Sequence, residues 1–215
     1  MHNVRTRMLA VAVLAVPLLA GAGKPLTSTS WASAGSVDAM IDEQHIVTGE
    51  LAKCTADGPM NAHTAGETTG DIAIFGNGTT TCGRNGPVAV AEAQGHRFEA
   101  DVLKRFGGPV ITVRTYKSGC ATTADGSVGD MEVGTVTGIK VPQDIPPNFR
   151  IVIPGGAAGT ALATVTVNET VTPEPVDGSM VTHAVHIKLF PQGGPASGDI
   201  YVGTAACDPF GSGSS

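Results

Sequence analysis

Two histidines, a set of carboxylates and four cysteines are the residues of this chain whose types and spacing bear on chemistry. His183 and His186 stand three apart in Val181-Thr182-His183-Ala184-Val185-His186-Ile187. In a strand, positions three apart face opposite sides, so the pair is not expected to share a metal. His183, in line with apolar residues, reads as a satisfied core histidine, and His186 as a surface one. Asp125-Gly126-Ser127-Val128-Gly129-Asp130 sets two carboxylates around glycines, an echo of calcium loops. It lacks the further alternating ligands and the closing bidentate Glu, so a turn braced by Asp side chains is the simpler reading. Glu92, Glu99, Asp101, Glu132 and Glu169 are acids of the kind that pair in glycoside hydrolysis, and their spacing selects no pair. There is no G-x-S-x-G elbow, no H-E-x-x-H and no phosphate-cradling G-x-x-x-x-G-K-[ST]. Gly155-Gly156-Ala157-Ala158-Gly159 has the glycines of a phosphate loop, but the residues after it alternate like a strand instead of opening a helix. Asn77-Gly78-Thr79 and Asn168-Glu169-Thr170 match the N-glycosylation acceptor pattern, as is common in a Thr-rich chain. No catalytic, cofactor-binding or metal-ligating residue is assigned, and no cofactor is expected.

The cysteines carry more information. Cys54, Cys82, Cys120 and Cys207 are even in number, contain no C-x-x-C pair and lack zinc-site spacing. In an oxidising compartment they are expected as disulfides. Four cysteines allow three connectivities; Cys54–Cys82 with Cys120–Cys207, which brackets the two halves of the mature chain, is the favoured one.

The compartment is read from the N-terminus. Arg5 and Arg7 precede an apolar stretch from Met8 to Ala22 that is too short to span a bilayer, which needs roughly 20 residues. That is a secretory leader, with cleavage expected after Ala22 or, preferably, after Ala34. The later cut removes Arg5, Arg7 and Lys24 and shifts the net charge from −6 to −9. An acidic chain without a basic cluster repels phosphate backbones and anionic membrane surfaces, so nucleic acid is not an expected partner, and no transmembrane anchor remains after cleavage.

Composition and pattern determine what must position these residues. Only 15% of residues are charged and 4% aromatic, with 29 Gly and 14 Pro, which disfavours long helices and leaves Val, Ile, Ala and Thr to build pleated, half-buried surfaces. Alternating runs predict strands at 46–51, 71–75, 88–93, 131–141 (bent at Gly134 or Gly138), 149–153, 163–171, 181–189 and 199–205. The run 98–106 fits either a helical stripe or a strand, and the strand is preferred. Val176-Asp177-Gly178-Ser179 reads as a tight hairpin turn between two runs whose inward faces are Ala163, Val165, Val167 and Val171, and Val181, His183, Val185, Ile187 and Leu189. The expected fold is all-β, an antiparallel sandwich or barrel-like fold with disulfides and little helix. The expected division is a leader over 1–34, a flexible lead-in over 35–44, a small β meander over 45–92 clipped by Cys54–Cys82, a main β domain over 93–207 closed by Cys120–Cys207, and a flexible tail over 208–215.

Several pieces follow one another in a particular order: Gly107-Gly108-Pro109-Val110-Ile111, Ser118-Gly119-Cys120, Asp125-Gly126-Ser127-Val128-Gly129, Val141-Pro142, Pro146-Pro147-Asn148, Ile153-Pro154-Gly155, Val167-Asn168-Glu169, the His183 segment and Gly198-Asp199-Ile200-Tyr201-Val202-Gly203-Thr204-Ala205-Ala206-Cys207. In that order, over about 93–207, the chain resembles the choice-of-anchor P family of secreted actinobacterial surface proteins. The resemblance implies an exported, mostly β domain closed by a Cys120–Cys207 bridge, and transfers no activity or catalytic residue. After Cys207 the chain shows no sorting motif, hydrophobic tail or basic stop, which departs from the family's pattern of C-terminal attachment. The expectation is a non-enzymatic module, secreted, extracellular or loosely attached to the cell surface, with a cell-envelope glycan or protein as partner. An extracellular glycan- or peptide-binding protein is the alternative, and a small secreted hydrolase the third reading.

Overall fold

A computed structural model describes residues 27–156 and 160–211. From the N-terminus the strands are β1 (Thr29–Ile41), β2 (Gln44–Leu51), β3 (Cys54–Thr55), β4 (Asn61–Thr64), β5 (Glu67–Thr69), β6 (Ala73–Phe75), β7 (Gly78–Asn85) and β8 (Val88–Ala100). A 3-10 turn, Val102–Phe106, leads to β9 (Ile111–Thr123), β10 (Gly126–Val133), β11 (Val136–Thr137), β12 (Phe149–Pro154), β13 (Ala161–Val171), β14 (Met180–Leu189) and β15 (Ala196–Asp208). The fold is all-β and antiparallel. One sheet runs β12-β13-β14-β15-β1-β2, with β3 also on β1; the second runs β10-β9-β8-β6-β5, with β7 on β8, β4 on β7 and β11 on β9.

The two sheets are joined covalently at one end. Cys54 of β3 bonds Cys82 of β7, and Cys120 of β9 bonds Cys207 of β15, so each disulfide crosses from one sheet to the other. Between them lie only small side chains, Ala32, Ala91, Ala93 and Ala205, all buried. The rest of the interior is aliphatic and aromatic, with Phe75 and Phe98 5.2 Å apart beside Ile, Val and Leu from both sheets.

A change of face separates these two cores. In β15, Cys207 and Ala205 point inward and so do Val202 and Ile200; in β1, Ala32 does and so do Val37, Ala39 and Ile41. Strict alternation cannot place both sets on one side. The break falls on Asn168, Ala184, Gly203 and Ala34, one residue in each of four adjacent strands, where the ladder skips a pair. Asn168 and Gly203 sit there at φ 55° and 60°. β8 changes face likewise at Arg97, φ 59°, where its ladder with β9 skips a pair. Such local disruptions re-aim side chains without ending the sheet. Tyr116 of β9 fills the space between the breaks: its hydroxyl donates to the Ala34 carbonyl at 2.9 Å, and a Cβ on Gly203 would lie 2.7 Å from its ring. Burial drives the Tyr116 phenol well above its ordinary pKa, so it stays protonated and donating. Tyr116→Phe is expected to lower stability by about 1–3 kcal/mol, because a buried carbonyl loses its donor, and urea titration against the wild type measures it.

Several expectations are corrected. Residues 35–44 are not a flexible lead-in: β1 covers 29–41 and pairs with β15 on one side and with β2 and β3 on the other, because its alternating small residues fit under the disulfides. The division at 92/93 is not a boundary, since β8 runs through it and pairs with β7, β6 and β9. Residues 98–100 are strand, but Val102 and Leu103 are both fully buried, which consecutive strand residues facing opposite sides do not achieve, and the chain takes a 3-10 turn ended by left-handed Gly107. The expected strand at 131–141 is broken at both Gly134 and Gly138. β13 and β14 pair as expected, but the loop between Val171 and Val181 is longer than a tight turn; Asp177 accepts from the Ser179 N–H at 2.8 Å within it. The proposed leader through Ala22 lies outside the described residues, as do 212–215 of the tail, whose first residue, Asp208, ends β15.

Candidate functional site

The face change brings together what simple alternation separates. Val185, Ile187 and Leu189 of β14 point inward, but so does Thr182, whose hydroxyl lies 2.7 Å from that of Ser118 in the opposite sheet. His183 therefore lies on the outer face with His186, their rings 6.0 Å apart. The expectation that they face opposite sides is corrected, the physical cause being the break at Ala184. Val171, expected inward, is 46% exposed for the same reason, lying beyond Asn168.

Around the two rings a network closes. His186 Nδ1 is 3.0 and 2.8 Å from the two Glu169 oxygens, and its Nε2 is 2.7 Å from Asp199 Oδ1. A carboxylate at each nitrogen makes both ring nitrogens donors, so His186 is an imidazolium. Burial pulls its pKa down, yet the hydrogen bonds and charges of Asp199 and Glu169 together lift it to about 9. His183 is the opposite case. Burial, helped by the positive His186 and opposed by Glu169, lowers it to about 4, and its Nδ1 meets Thr204 Oγ1 at 2.9 Å. Tyr201 stacks on His186 at 4.5 Å and lies 4.6 Å from His183; burial, then Asp199, Glu169 and Asp38, raise its phenol to about 12.

Thr204, His183 and Glu169 form a hydroxyl, imidazole and carboxylate in sequence, with His183 Nε2 4.0 Å from Glu169 Oε2. Those are the groups of a nucleophile relay. Thr204 is only 4% exposed, in mid-strand. What the arrangement does is tie β13, β14 and β15 together on their outer face.

The other candidates disperse. Glu92 pairs with Lys117 at 2.9 Å and Asp101 with Lys104 at 3.1 Å, whereas Glu169 belongs to the other sheet. Asp125 and Asp130 lie in the β9–β10 hairpin, whose turn is braced by the Thr123 hydroxyl, not by Asp: Thr123 Oγ1 donates to the Gly126 carbonyl at 3.1 Å and accepts from the Asp125 N–H at 3.3 Å. Among the described residues no group of three or more His, Cys, Asp or Glu could hold a metal ion. Asn168 is 8% exposed and its Nδ2 donates to the Ile145 carbonyl at 3.0 Å, which hides that acceptor motif, while Asn77 is exposed.

A groove of about 550 Å³ lies next to this network on the same outer face. Its floor is one rung of the sheet, Thr55–Trp31–Ala206–Val181, directly beyond the rung Ser33–Thr204–His183–Glu169. Trp31 is the only tryptophan of the chain. Lys53 Nζ stands 5.4 Å from its ring centroid and bonds Glu50 at 2.9 Å. Arg84 holds Asp57 by two bonds of 2.6 and 2.8 Å, lowering the Asp57 carboxyl pKa. Sequence reading missed Trp31 because Trp31-Ala32-Ser33-Ala34 has the small residues of a leader cleavage site.

No protein family, curated protein or solved structure gives a match to the chain. Among the described residues no helix is long and apolar enough to cross a membrane. Two disulfides with no free cysteine fit an extracellular protein.

Proposed function

We propose that this chain is an exported, non-enzymatic β module of the cell envelope or surface, in line with its resemblance to the choice-of-anchor P family. The observation that carries the reading is the placement of both disulfides, each fastening one sheet to the other across a core of alanines. Small alanine side chains bury less apolar surface than the aliphatic core beside them, so the crosslinks matter most at this end, and structural disulfides are typical of compartments where thiols are oxidised. The histidine network supports a structural role as well, since both nitrogens of His186 are engaged by carboxylates.

Export also bears on the leader. A cut after Ala34 would remove residues 29–34 from β1, including Ala32 and the carbonyl that Tyr116 holds. The cut therefore falls ahead of Thr27, at Ala20-Gly21-Ala22, leaving a mature charge of −8 after loss of Arg5 and Arg7. Expression of the full chain in an actinobacterial host, with fractionation and N-terminal sequencing, tests this. The expected result is protein outside the cytoplasm that begins near residue 23. Full-length chain retained in the cytoplasm would overturn export, and a functional, folded product beginning at Gly35 would overturn the placement of the cut.

A further inference from the structure

We propose that the groove around Trp31 is a binding site for a neutral saccharide, taken from the envelope if the exported-module reading above holds. The indole lies on the outer face of β1, flanked along its rung by the small side chains of Ala206 and Val181 and by Thr55. Small neighbours leave the half-buried indole at the floor of a concave surface beneath the Lys53 ammonium, and a π face attracts the slightly positive C–H groups on one side of a pyranose ring. The electrostatic preference of that face is already visible, because it holds the Lys53 ammonium at 5.4 Å. Lys53 is an exposed side chain able to swing aside.

The rim supplies hydroxyl partners. Glu50 is fixed by Lys53, Asp57 by Arg84, and Asp208 accepts from the Phe210 and Gly211 N–H groups at 2.8 and 3.0 Å. Glu50 and Asp57 each carry a bound cation, and all three carboxylates are held in place as acceptors, which suits hydroxyl donors better than a polycation. Excess negative charge over the whole chain disfavours an anionic polymer. A few oriented polar groups around an apolar floor are the usual make-up of a small-molecule site. The site is distinct from the histidine network, which lines none of the groove.

Trp31 being the sole tryptophan, its emission reports on this groove alone. The disulfide-bonded protein from residue 23 onward is titrated with tetramers of N-acetylglucosamine, mannose and glucose, and in parallel with spermidine and heparin. The expected result is a saturable emission change with at least one tetramer, with a Kd on the order of 1 mM, and none with spermidine or heparin. Calorimetry then compares variants that keep the wild-type melting temperature. Trp31→Phe and Trp31→Ala are expected to weaken saccharide binding about tenfold or more. No response to any tetramer, a response to spermidine or heparin alone, or undiminished binding by Trp31→Ala would each overturn the proposal. None of these outcomes alters the fractionation result that decides export.

Discussion

Replacing Cys120 and Cys207 together by alanine is expected to destabilise the protein by about 4–5 kcal/mol, the loop-entropy value for a crosslink closing a separation of 87 residues. Replacing Cys54 and Cys82, 28 residues apart, is expected to cost about 3–4 kcal/mol. Both are large against the roughly 5–15 kcal/mol that holds a typical domain together. The surroundings add to the loss. Ala32, Ala91, Ala93 and Ala205 have no side chain long enough to fill the volume vacated by two sulfurs, so cavity terms come on top of chain entropy. The Cys120–Cys207 bridge also joins β9 to β15, strands interior to their sheets, whereas Cys54 belongs to the two-residue β3. Urea titration of the two double variants against the wild type, under non-reducing conditions, should therefore show the larger midpoint shift for Cys120→Ala/Cys207→Ala. Equal and small shifts would mean that packing alone secures the sheets.

The second large effect is a stability maximum in pH generated by two neighbouring histidines with opposite shifts. Folded His186 keeps its proton up to about pH 9, while the unfolded chain releases it near 6.5. Its contribution, on the order of 3 kcal/mol, is complete below about pH 6.5 and is lost as the pH rises through 9. Folded His183 refuses a proton until about pH 4, whereas the unfolded chain accepts one below 6.5, so stability also falls as the pH drops from 6.5 toward 4. The pair together gives a maximum near pH 6.5. Melting curves from pH 4 to 9.5 for the wild type, His186→Gln and His183→Asn isolate each arm by difference. His186→Gln should flatten the alkaline arm and lower neutral stability by about 3 kcal/mol, since Glu169 and Asp199 then face each other without the cation between them. His183→Asn should flatten the acid arm. Parallel curves for all three proteins would contradict the network as described.

The parts legible in the sequence are those where one rule operates without interruption. β12, β13, β14 and β15 alternate cleanly for several residues, and an even number of cysteines without metal-site spacing is expected to pair as disulfides, so the strands, the all-β class and the favoured pairing follow. The site was not legible because it exists at a fault in the alternation. Of the four residues at the break, Gly203 and Asn168 are of types that adopt a positive φ, but Ala34 and Ala184 look like ordinary strand residues, and an isolated Asn or Gly does not by itself mark a change of face. Counting by twos through Ala184 puts His183 in the core and away from His186, and counting through Asn168 puts Val171 inward. β1 was hidden differently. Ala32, beneath the disulfides, and Ala34, beside the Tyr116 hydroxyl, are also the small residues a signal peptidase prefers, so the middle of a sheet reads as a cleavage site. Expecting two domains had a similar origin: sequence distance separates 29–41 from 196–208, yet those segments pair over nearly their full length.

Peptide mapping by mass spectrometry of the native protein, digested without reduction after alkylation of free thiols, tests the sheet-to-sheet crosslinks most directly. The structure predicts two linked peptides, Cys54 with Cys82 and Cys120 with Cys207, and no alkylated cysteine. Alkylated thiols, or a linkage joining Cys54 or Cys82 to Cys120 or Cys207, would contradict the fold described here and the exported role inferred from it.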